Sequence, residues 1–321
     1  MKDFVEIGKI IDNAIGGIIY PESPKLLYDP IQYIMGLKGK RMRPILVLIA
    51  HQLFDKNIEK ALPPAIAIEI FHNFTLLHDD IMDNAPLRRG SQTVHEKWNR
   101  NTAILSGDVM MIQAYQLLEK LDSDILKNVV SVFSNTAIKV CEGQQWDMDF
   151  ETEKHVNLAQ YMKMIEYKTA VLLAASLKIG AITAGASKSE QDHLYAFGIN
   201  MGIAFQLKDD LLDVFGSTED FGKKVGGDIL ANKKTFLYLK AHQLADSLYK
   251  DRLQFYYTNN DKSEIKINEV RDIFQSLNIQ THTIEMMRAY YTKAMKHLDS
   301  IDSNKKESLL LFSERLMERV S

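Results

Sequence analysis

The sequence is poor in residues that interrupt helices and in residues that form covalent cross-links. Its 321 residues include 7 prolines, none of them after Pro86, together with 16 glycines and one cysteine, Cys141. A single cysteine excludes an internal disulfide and favours a reducing compartment, and a lone thiol is more often buried than catalytic. So few prolines and glycines over this length permit long helices.

The chain also lacks an excess of charge of either sign. Lys+Arg total 39 against 42 for Asp+Glu, a formal net charge of −3, which argues against a protein that coats nucleic acid or an anionic membrane. The most apolar stretch, Ala170 to Ala186, is interrupted by Lys178 and is too short to span a bilayer comfortably. The first residues carry acids and lack the apolar core of a signal peptide. We therefore expect a soluble, cytoplasmic protein with no transmembrane segment.

Apolar residues recur at helical spacing through most of the chain. Ile66, Ile70, Phe74, Leu77 and Ile81 are three to four residues apart, as on a helix that buries one face. No segment alternates with period two, and no Asn-Gly hairpin signal is present. We predict an all-α fold, one domain over residues 1–321, and helices near 3–19, 26–36, 43–54, 61–83, 101–119, 123–149, 157–185, 188–215, 233–250, 262–277, 280–299 and 303–319.

Two polar connections interrupt this pattern. Residues 84–99 read NAPLRRGSQTVHEKWN, and residues 216–234 read GSTEDFGKKVGGDILANKK. Long charged loops inside a helical chain are more often functional than idle. We therefore expect both loops to contribute to a site.

Two short segments share a pattern of three carboxylates. Residues 76–83 read LLHDDIMD and residues 207–213 read LKDDLLD. On a helix, carboxylates at i and i+4 stand roughly 5–6 Å apart and repel each other. The flanks are apolar, so a compensating cation is expected, and Mg²⁺ suits this role because it takes oxygen ligands and bridges carboxylates to phosphates. Two solvated acidic patches are the alternative. The aspartates are Asp79, Asp80 and Asp83 in the first motif and Asp209, Asp210 and Asp213 in the second.

Basic residues occur close to these acids. GKRMRP (39–44) precedes a predicted helix, and Arg88 and Arg89 follow the first acidic motif. A guanidinium binds phosphate oxygens through two parallel hydrogen bonds, and a lysine adds a point charge. By itself, GKRMRP is more typical of a solvated basic loop or a nucleic-acid patch. Beside metal-binding acids, it indicates a diphosphate ligand.

Eight motifs follow one another along about two thirds of the chain. They are GKRMRP (39–44), HNFTLLHDDIMDNAPLRRG (72–90), GDVMM (107–111), EGQQWD (142–147), YKTA (167–170), FQLKDDLLD (205–213), GKKVGGD (222–228) and NKKT (232–235). In this order, the motifs resemble those of the trans-isoprenyl diphosphate synthases, the polyprenyl synthetase family of prenyltransferases. The resemblance implies an all-α helical bundle of the isoprenoid synthase type around a central apolar cavity, in an enzyme that is usually a homodimer.

The resemblance implies two kinds of diphosphate site. Isopentenyl diphosphate would be held without metal by Lys40, Arg43, His72 and Arg89. An allylic diphosphate would be held through three Mg²⁺ ions, bound principally by Asp79, Asp83 and Asp209, with Asp80 and Asp213 beside them. The remaining side chains around the allylic diphosphate would be Arg88, Lys168, Lys223 and Lys233.

The implied reaction is a head-to-tail (1'-4) condensation. The allylic diphosphate ionises, the isopentenyl double bond attacks the cation, and a proton is lost. Thr169 and Gln206 match positions that the family uses to stabilise the cation, and Gln144 and Asp147 match a motif that lines the same cavity. Asn232 departs from the family pattern, because many relatives have Gly before the lysine of this motif.

Product length in this family depends on residues just before the first acidic motif. Phe74 is the fifth residue before Asp79 and Thr75 is the fourth. An aromatic residue followed by a small one resembles the short-chain synthases that make C20 products, whereas two aromatics would resemble C15 enzymes. We expect geranylgeranyl diphosphate (C20) as the product, with farnesyl diphosphate (C15) second.

Three alternatives remain open at this stage. A terpene cyclase of the same fold would normally lack Asp213 and the GKRMRP segment. A subunit of a heteromeric polyprenyl synthase would usually have lost its aspartates. A helical phosphate- or nucleic-acid-binding protein without catalytic activity would fit the net charge and the apolar flanks of the acids poorly.

Overall fold

The computed structural model describes residues 4–216, 225–259 and 261–317, and these residues are almost entirely helical. In the described parts of the chain, no helix combines the length and apolar character that a membrane crossing requires. The only β-structure among them is a ribbon of β1 (Leu87–Arg88) and β2 (Ser91–Gln92), so the all-α prediction is confirmed. The helices are α1 (Phe4–Gly16), α2 (Lys25–Gly36), α3 (Met42–Gln52), α4 (Leu62–Met82), α5 (Val94–Lys97), α6 (Arg100–Leu118), α7 (Ser123–Thr152), α8 (Leu158–Ile165), α9 (Val171–Thr183), α10 (Lys188–Phe215), α11 (Gly227–Leu230), α12 (Phe236–Leu244), α13 (Ser247–Thr258), α14 (Glu264–Ser276), α15 (Ile279–Asp299) and α16 (Glu307–Met317), with a 3₁₀ turn at Ile58–Ala61.

The predicted helix at 157–185 is not one regular α-helix. It begins at Leu158 under a capping box, in which the Asn157 side chain accepts a hydrogen bond from the Gln160 amide and the Gln160 side chain accepts one from the Asn157 amide. A π-helical turn then covers Glu166–Ala170 before α9 begins. π-turns of this kind occur frequently at functional sites. This turn carries Lys168 and Thr169, two residues of the predicted site.

The predicted helix at 233–250 was also wrong in its bounds. Residues 233–235 are not helical, and the helix that follows them runs from Phe236 to Leu244. Asp246 then caps a new helix, α13, by accepting a hydrogen bond from the Tyr249 amide at 2.9 Å. An aspartate that bonds to a nearby backbone amide starts a helix more readily than it continues one.

The loop after α4 contains a short hairpin, although its turn has no Asn-Gly pair. Its two turn residues are Arg89 and Gly90, with φ of 53° and 77°. Two positive φ angles in succession are typical of a type I′ turn, one of the two common two-residue hairpin turns. The turn therefore places Arg89 in a left-handed conformation that side chains other than glycine rarely adopt.

The described residues divide into two compact units, and the prediction of a single domain stays a prediction. The first unit comprises Met1–Ser134, Ala175–Leu194 and Asp302–Leu309. Within it, α4 packs along α6 and also against α1, α2 and α3. Aromatic rings add to its core, where Phe71 and Phe133 meet edge to face with centroids 5.2 Å apart. The first unit carries the first acidic motif and the GKRMRP segment.

The second unit comprises Asn135–Ala174, Tyr195–Ile301 and Leu310–Ser321, and it carries the second acidic motif. Its core joins residues from α7, α8 and α10 to α15, and it includes the buried side chains of Phe150, Tyr161, Phe236, Leu253 and Phe274. Cys141 lies on α7 within this unit and is exposed, contrary to the expectation that a lone thiol is buried. Helical spacing alone does not predict that the Cys141 side chain lies on the exposed face of α7.

Close packing of α7 against the π-turn requires the glycine of EGQQWD. A Cβ at Gly143 would lie 2.2 Å from the Lys168 backbone nitrogen and 2.7 Å from the Lys168 Cα. Backbone atoms cannot move aside as a flexible side chain can. We therefore expect Gly143→Ala to lower the free energy of unfolding by about 1–3 kcal/mol, as overpacking does elsewhere, in urea unfolding monitored by circular dichroism.

Gly16→Ala is the matched control for this prediction. Gly16 is also in a helix, but a Cβ there has nothing within 4 Å, so the change in unfolding free energy should stay within about 1 kcal/mol of zero. Equal stability of the two variants would show that the contact between α7 and the π-turn is looser than the structure describes.

Candidate active site

A basic cluster in the first unit brings together three of the residues predicted from sequence. Arg43 Nη1 donates a hydrogen bond to His72 Nε2 at 3.0 Å. Because a guanidinium can only donate, Nε2 accepts, and the neutral imidazole carries its proton on Nδ1. Arg89 lies against the same segment, since a Cβ at Gly39 would be 2.7 Å from Arg89 Nη1. Lys40, the fourth predicted residue, is exposed beside them.

This cluster carries positive charge and a hydrogen-bond donor that an anionic oxygen would satisfy. Burial lowers the pKa of His72 well below its usual value, and the positive charges of Arg43 and Arg89 lower it further. Burial also lowers the pKa of Arg43 to about 10. Among the described residues, the buried Nε of Arg43 has no hydrogen-bond partner. Phosphate oxygens would provide both the counter-charge and the acceptor.

A buried ion pair between Arg41 and Glu69 lies beside this cluster, and the sequence did not reveal it. Arg41 Nη1 donates to Glu69 Oε1 at 2.7 Å, and its Nη2 donates to the Met35 carbonyl at 2.7 Å. Asn73 Nδ2 donates to the same Glu69 oxygen at 3.0 Å. Arg41 and Glu69 are 28 residues apart, so no local pattern connects them. Arg41 of GKRMRP is therefore held within the protein, whereas Arg43 reaches His72.

The first acidic motif lies at the carboxyl end of α4, where its members differ in exposure. Asp80 is 1% exposed, and its Oδ1 accepts two hydrogen bonds from Arg88. Burial raises the pKa of Asp80, which the Arg88 pairing opposes. Asp79 is half-buried and Asp83 is exposed, one helical turn apart. Arg88 thus contacts Asp80, and the predictions that place Asp80 on a metal and Arg88 on the diphosphate stay predictions.

The residues before this motif pack ring against ring. The Phe74 ring lies 4.7 Å from the His78 ring and 5.7 Å from the Phe71 ring, measured between centroids. His78 Nε2 contacts the Ile104 carbonyl at 3.2 Å. Thr75 Oγ1 donates to the His72 carbonyl at 2.8 Å, so its side chain folds back on the helix. Phe74 is therefore fixed by two neighbouring rings rather than free to turn.

The second acidic motif, near the carboxyl end of α10, is also divided between protein-facing and partly exposed carboxylates. Asp210 is 4% exposed, and burial raises its pKa to about 7. Asp213 Oδ2 accepts a hydrogen bond from the Asp228 amide at 2.9 Å, and burial, followed by the charge of Asp228, raises its pKa to about 6. Asp209 is half-buried. The metal-ligand predictions for Asp209 and Asp213 are not decided by these contacts.

Thr169 and Gln206 belong to a chain of hydrogen bonds in the second unit. Thr169 Oγ1 donates to Gln206 Oε1 at 3.1 Å, and Gln206 Nε2 donates to Asp210 Oδ1 at 3.1 Å. The hydroxyl of Tyr161 donates to the other oxygen of Asp210. These hydrogen bonds fix the orientation of the Gln206 side-chain amide. Tyr161 is a site residue that the sequence analysis missed, because only its contact with Asp210 reveals it.

These residues line a pocket of about 100 Å³ in the second unit. Lys168 lines it too and pairs with Asp147, the acid of EGQQWD. Lys233 also lines it, whereas Lys223 lies outside the described residues. The wall is mixed, with basic, acidic and apolar side chains. The lining residues that matter here are Asp147, Lys168, Thr169, Gln206, Asp210 and Lys233.

The donor atoms available in the two acidic motifs suit Mg²⁺. Both motifs offer carboxylate oxygens one helical turn apart, and neither helix has a basic residue in its last turn. Negative charge at the carboxyl end of a helix is unfavourable, because the helix dipole is negative there. A hard divalent cation that accepts carboxylates and keeps waters would relieve this repulsion.

Comparison with known proteins identifies the family of this chain. The model of a family described as polyprenyl synthetase matches residues 24–274. Geranylgeranyl diphosphate synthase of Methanosarcina mazei is 40% identical over 235 residues, which cover 73% of this chain and 72% of that protein. A crystal structure of a geranylgeranyl pyrophosphate synthase is 43% identical, with a TM-score of 0.94 and complete coverage of both chains. Geranylfarnesyl diphosphate synthase of Natronomonas pharaonis is 31% identical, covering 94% of this chain and 92% of that protein.

The chain belongs to the polyprenyl synthetase family. It is a prenyltransferase of the short-chain trans-prenyl synthase type, with the all-α fold of the isoprenoid synthases and an activity in prenyl chain elongation. The family resemblance found in the motifs is thus confirmed, as is the prediction of an enzyme. The family acts on isopentenyl and allylic diphosphates and uses Mg²⁺.

The lowered pKa of His72 predicts a pH dependence of stability. His72 is neutral when folded but titrates near its ordinary pKa when unfolded, so the unfolded state binds more protons as the pH falls below about 6.5. The stability contributed by neutral His72 is therefore present above that pH and lost below it. Between pH 7.5 and 5.5, the ligand-free protein should lose up to about 1 kcal/mol more unfolding free energy than His72→Gln.

Urea unfolding at both pH values measures this difference. His155→Gln, at an exposed histidine, is the matched control and should follow the original protein. An identical pH response in the original protein and in His72→Gln would contradict the neutral state of His72.

Proposed function

We propose that this enzyme catalyses the Mg²⁺-dependent 1'-4 condensation of isopentenyl diphosphate with allylic diphosphates and releases an all-trans C20 product. The single observation that carries this proposal is the presence of two chemically different environments, each of which suits a diphosphate in its own way. One is the basic cluster of Arg43, His72 and Arg89, and the other is the pair of acidic motifs at helix carboxyl ends. A condensation between two diphosphates needs both.

The basic cluster suits the isopentenyl substrate, whose diphosphate stays attached throughout the reaction. Arg43 offers its unpartnered Nε, and His72 donates from Nδ1 or takes up a proton when an anion raises its pKa. Lys40 and Arg89 add positive charge at the exposed side. Such a cluster binds a diphosphate without metal, so this substrate is held while the other ionises.

The acidic motifs suit the allylic substrate, whose diphosphate leaves. Asp79, Asp83 and Asp209 are the proposed ligands of three Mg²⁺ ions, and Asp80 and Asp213 support them. Bound Mg²⁺ supplies positive charge that stabilises the departing diphosphate. Arg88, Lys168, Lys223 and Lys233 are proposed to contact the same diphosphate, where they offset the negative charge that develops on it as the carbon–oxygen bond breaks.

Thr169 and Gln206 are proposed to face the allylic cation. The hydrogen bond from Thr169 leaves the Gln206 amide in one orientation, and the bond to Asp210 prevents it from flipping. Oxygen dipoles fixed in advance stabilise a cation without reorganising during the reaction. The π electrons of the isopentenyl double bond form the new carbon–carbon bond, and the adjacent proton is lost to the departed diphosphate.

Product analysis tests this function directly. The purified protein receives Mg²⁺, labelled isopentenyl diphosphate and, in separate tubes, C5, C10 or C15 allylic diphosphate. We expect label in C20 chains from all three primers. Absence of elongation from every primer, in folded protein with Mg²⁺ present, would contradict the proposal and favour a terpene cyclase or a subunit that needs a partner.

Phe74 is proposed to set the C20 limit. Its ring is fixed by Phe71 and His78, five residues before Asp79, about 7.5 Å along the helix axis. Removing a fixed ring should let the chain grow further, so Phe74→Ala should yield products at least one C5 unit longer. Thr75→Phe should act in the opposite direction and shift the product towards C15.

Chromatography of dephosphorylated products measures both changes. Phe255→Ala removes an exposed phenylalanine, 62% accessible, and is the control that should leave the product unchanged. If Phe74→Ala still stops at C20, another residue limits the chain.

The enzyme is further proposed to be a homodimer. Helix α6 exposes Ile104, Leu105 and Ile112, with relative exposures of 44%, 59% and 60%, and these residues share one side of the helix. A charge within a dimer interface is costly to bury unpaired. Leu105→Glu should therefore shift the protein to a monomer in sedimentation velocity, and a monomeric original protein would contradict the proposal.

A further inference from the structure

The turn that carries Lys233 ends a short helix with an asparagine in a left-handed conformation. After α11, the Asn232 amide donates to the Ile229 carbonyl at 3.2 Å, and the Lys233 amide donates to the Asp228 carbonyl at 2.9 Å. Asn232 has a φ of 57°. These two bonds and this φ define a Schellman motif, in which the left-handed position is usually glycine. The turn therefore directs the chain from α11 to Lys233.

Asparagine at this position adopts a conformation that glycine reaches with less strain. In compensation, both polar atoms of the Asn232 side chain are held. Its Nδ2 donates to the Asn259 carbonyl at 3.2 Å, and its Oδ1 accepts a hydrogen bond from Lys266 Nζ. The Asn232 side chain thus makes the left-handed conformation less favourable than it would be for glycine, and the same side chain anchors the turn.

The lysine that supplies this anchor is unusual. Lys266 lies on α14 with 0% exposure, and lysine is almost never fully buried unless it has a partner. Burial lowers its pKa, and the charge of Asp261 opposes that change. The ammonium also lies 5.9 Å from the centre of the Tyr257 ring, within the range of a cation–π contact. A methionine could fill the same space, so packing alone does not explain the charge.

We propose that Lys266 is a positioning residue, which clamps the Asn232 side chain in its left-handed turn and thereby fixes Lys233 for the allylic diphosphate. The inference rests on the proposed role of Lys233. Asn232 is also the position at which this motif departs from the family pattern that the resemblance implies. Glycine would adopt this turn without a side-chain contact, whereas the Asn232 side chain is held in it by Lys266.

Four proteins test this proposal: the original, Lys266→Met, Asn232→Gly, and the double variant. Lys266→Met keeps the length of the side chain and removes its charge. It should raise the KM for the allylic diphosphate about tenfold and leave the KM for isopentenyl diphosphate unchanged. In the double variant, glycine adopts the turn unaided, so the KM for the allylic diphosphate should return to within about twofold of the original value.

Lys262→Met is the matched control, because Lys262 is exposed four residues earlier in the same segment. It should change neither KM. If Lys266 had only a structural role, Lys266→Met would lower thermal stability and impair the kinetics with both substrates together. Adding Asn232→Gly would then not restore the KM for the allylic diphosphate. Failure of that rescue would overturn the proposal.

Hydrogen exchange provides a readout that does not depend on activity. The Lys233 amide is bonded to the Asp228 carbonyl, so its exchange rate reports on the turn itself. We expect exchange to be faster in Lys266→Met and restored in the double variant. If exchange follows this order while the original protein elongates no primer, the clamp is real and the proposed function is wrong. If exchange is unchanged in Lys266→Met, the clamp is wrong whatever the enzyme does.

Discussion

Repulsion between the carboxylates within each acidic motif, near the carboxyl end of its helix, is the constraint on which the rest of the proposed site depends. The helix dipole adds to that repulsion, so each acidic motif persists only if cations or hydrogen-bond donors compensate it. The protein does part of this itself. In each motif the second aspartate turns inward, where Asp80 meets Arg88 and Asp210 meets Tyr161 and Gln206. The remaining demand for positive charge is what suits the motifs to Mg²⁺.

Backbone strain occurs beside the same functional residues. Arg41, Arg89 and Asn232 all have positive φ angles between 46° and 57°. Each is held by long-range contacts, such as the Arg41 pair with Glu69 and the Asn232 contact with Lys266. Strained conformations persist only where the surroundings impose them. Here the surroundings do so at the segments that lead to Arg43 and Lys233, two basic residues of the proposed site.

Local patterns predicted the features that depend on local spacing. The bounds of α10, 188–215, agree with the helical periodicity, and the two aspartate motifs lie on helices as their spacing required. Periodicity could not predict which of two adjacent aspartates faces inward, because Asp79 and Asp80 share the same apolar flanks, as do Asp209 and Asp210. It also could not reveal the π-turn at 166–170, against which Gly143 packs, or the contact between Lys266 and Asn232, which are 34 residues apart. Contacts of this kind follow from the fold as a whole.

We propose that the basic cluster binds its diphosphate without metal and that the acidic motifs bind theirs through Mg²⁺, and calorimetry tests this difference most directly. Isopentenyl diphosphate and a non-ionising allylic thiolodiphosphate are titrated separately into the protein, with Mg²⁺ or with EDTA. We expect isopentenyl diphosphate to bind with an affinity that changes less than about threefold between the two conditions, and the allylic analogue to bind only with Mg²⁺. Equal metal dependence of the two ligands would contradict the division of the site into a basic cluster and a metal-binding pair of acidic motifs.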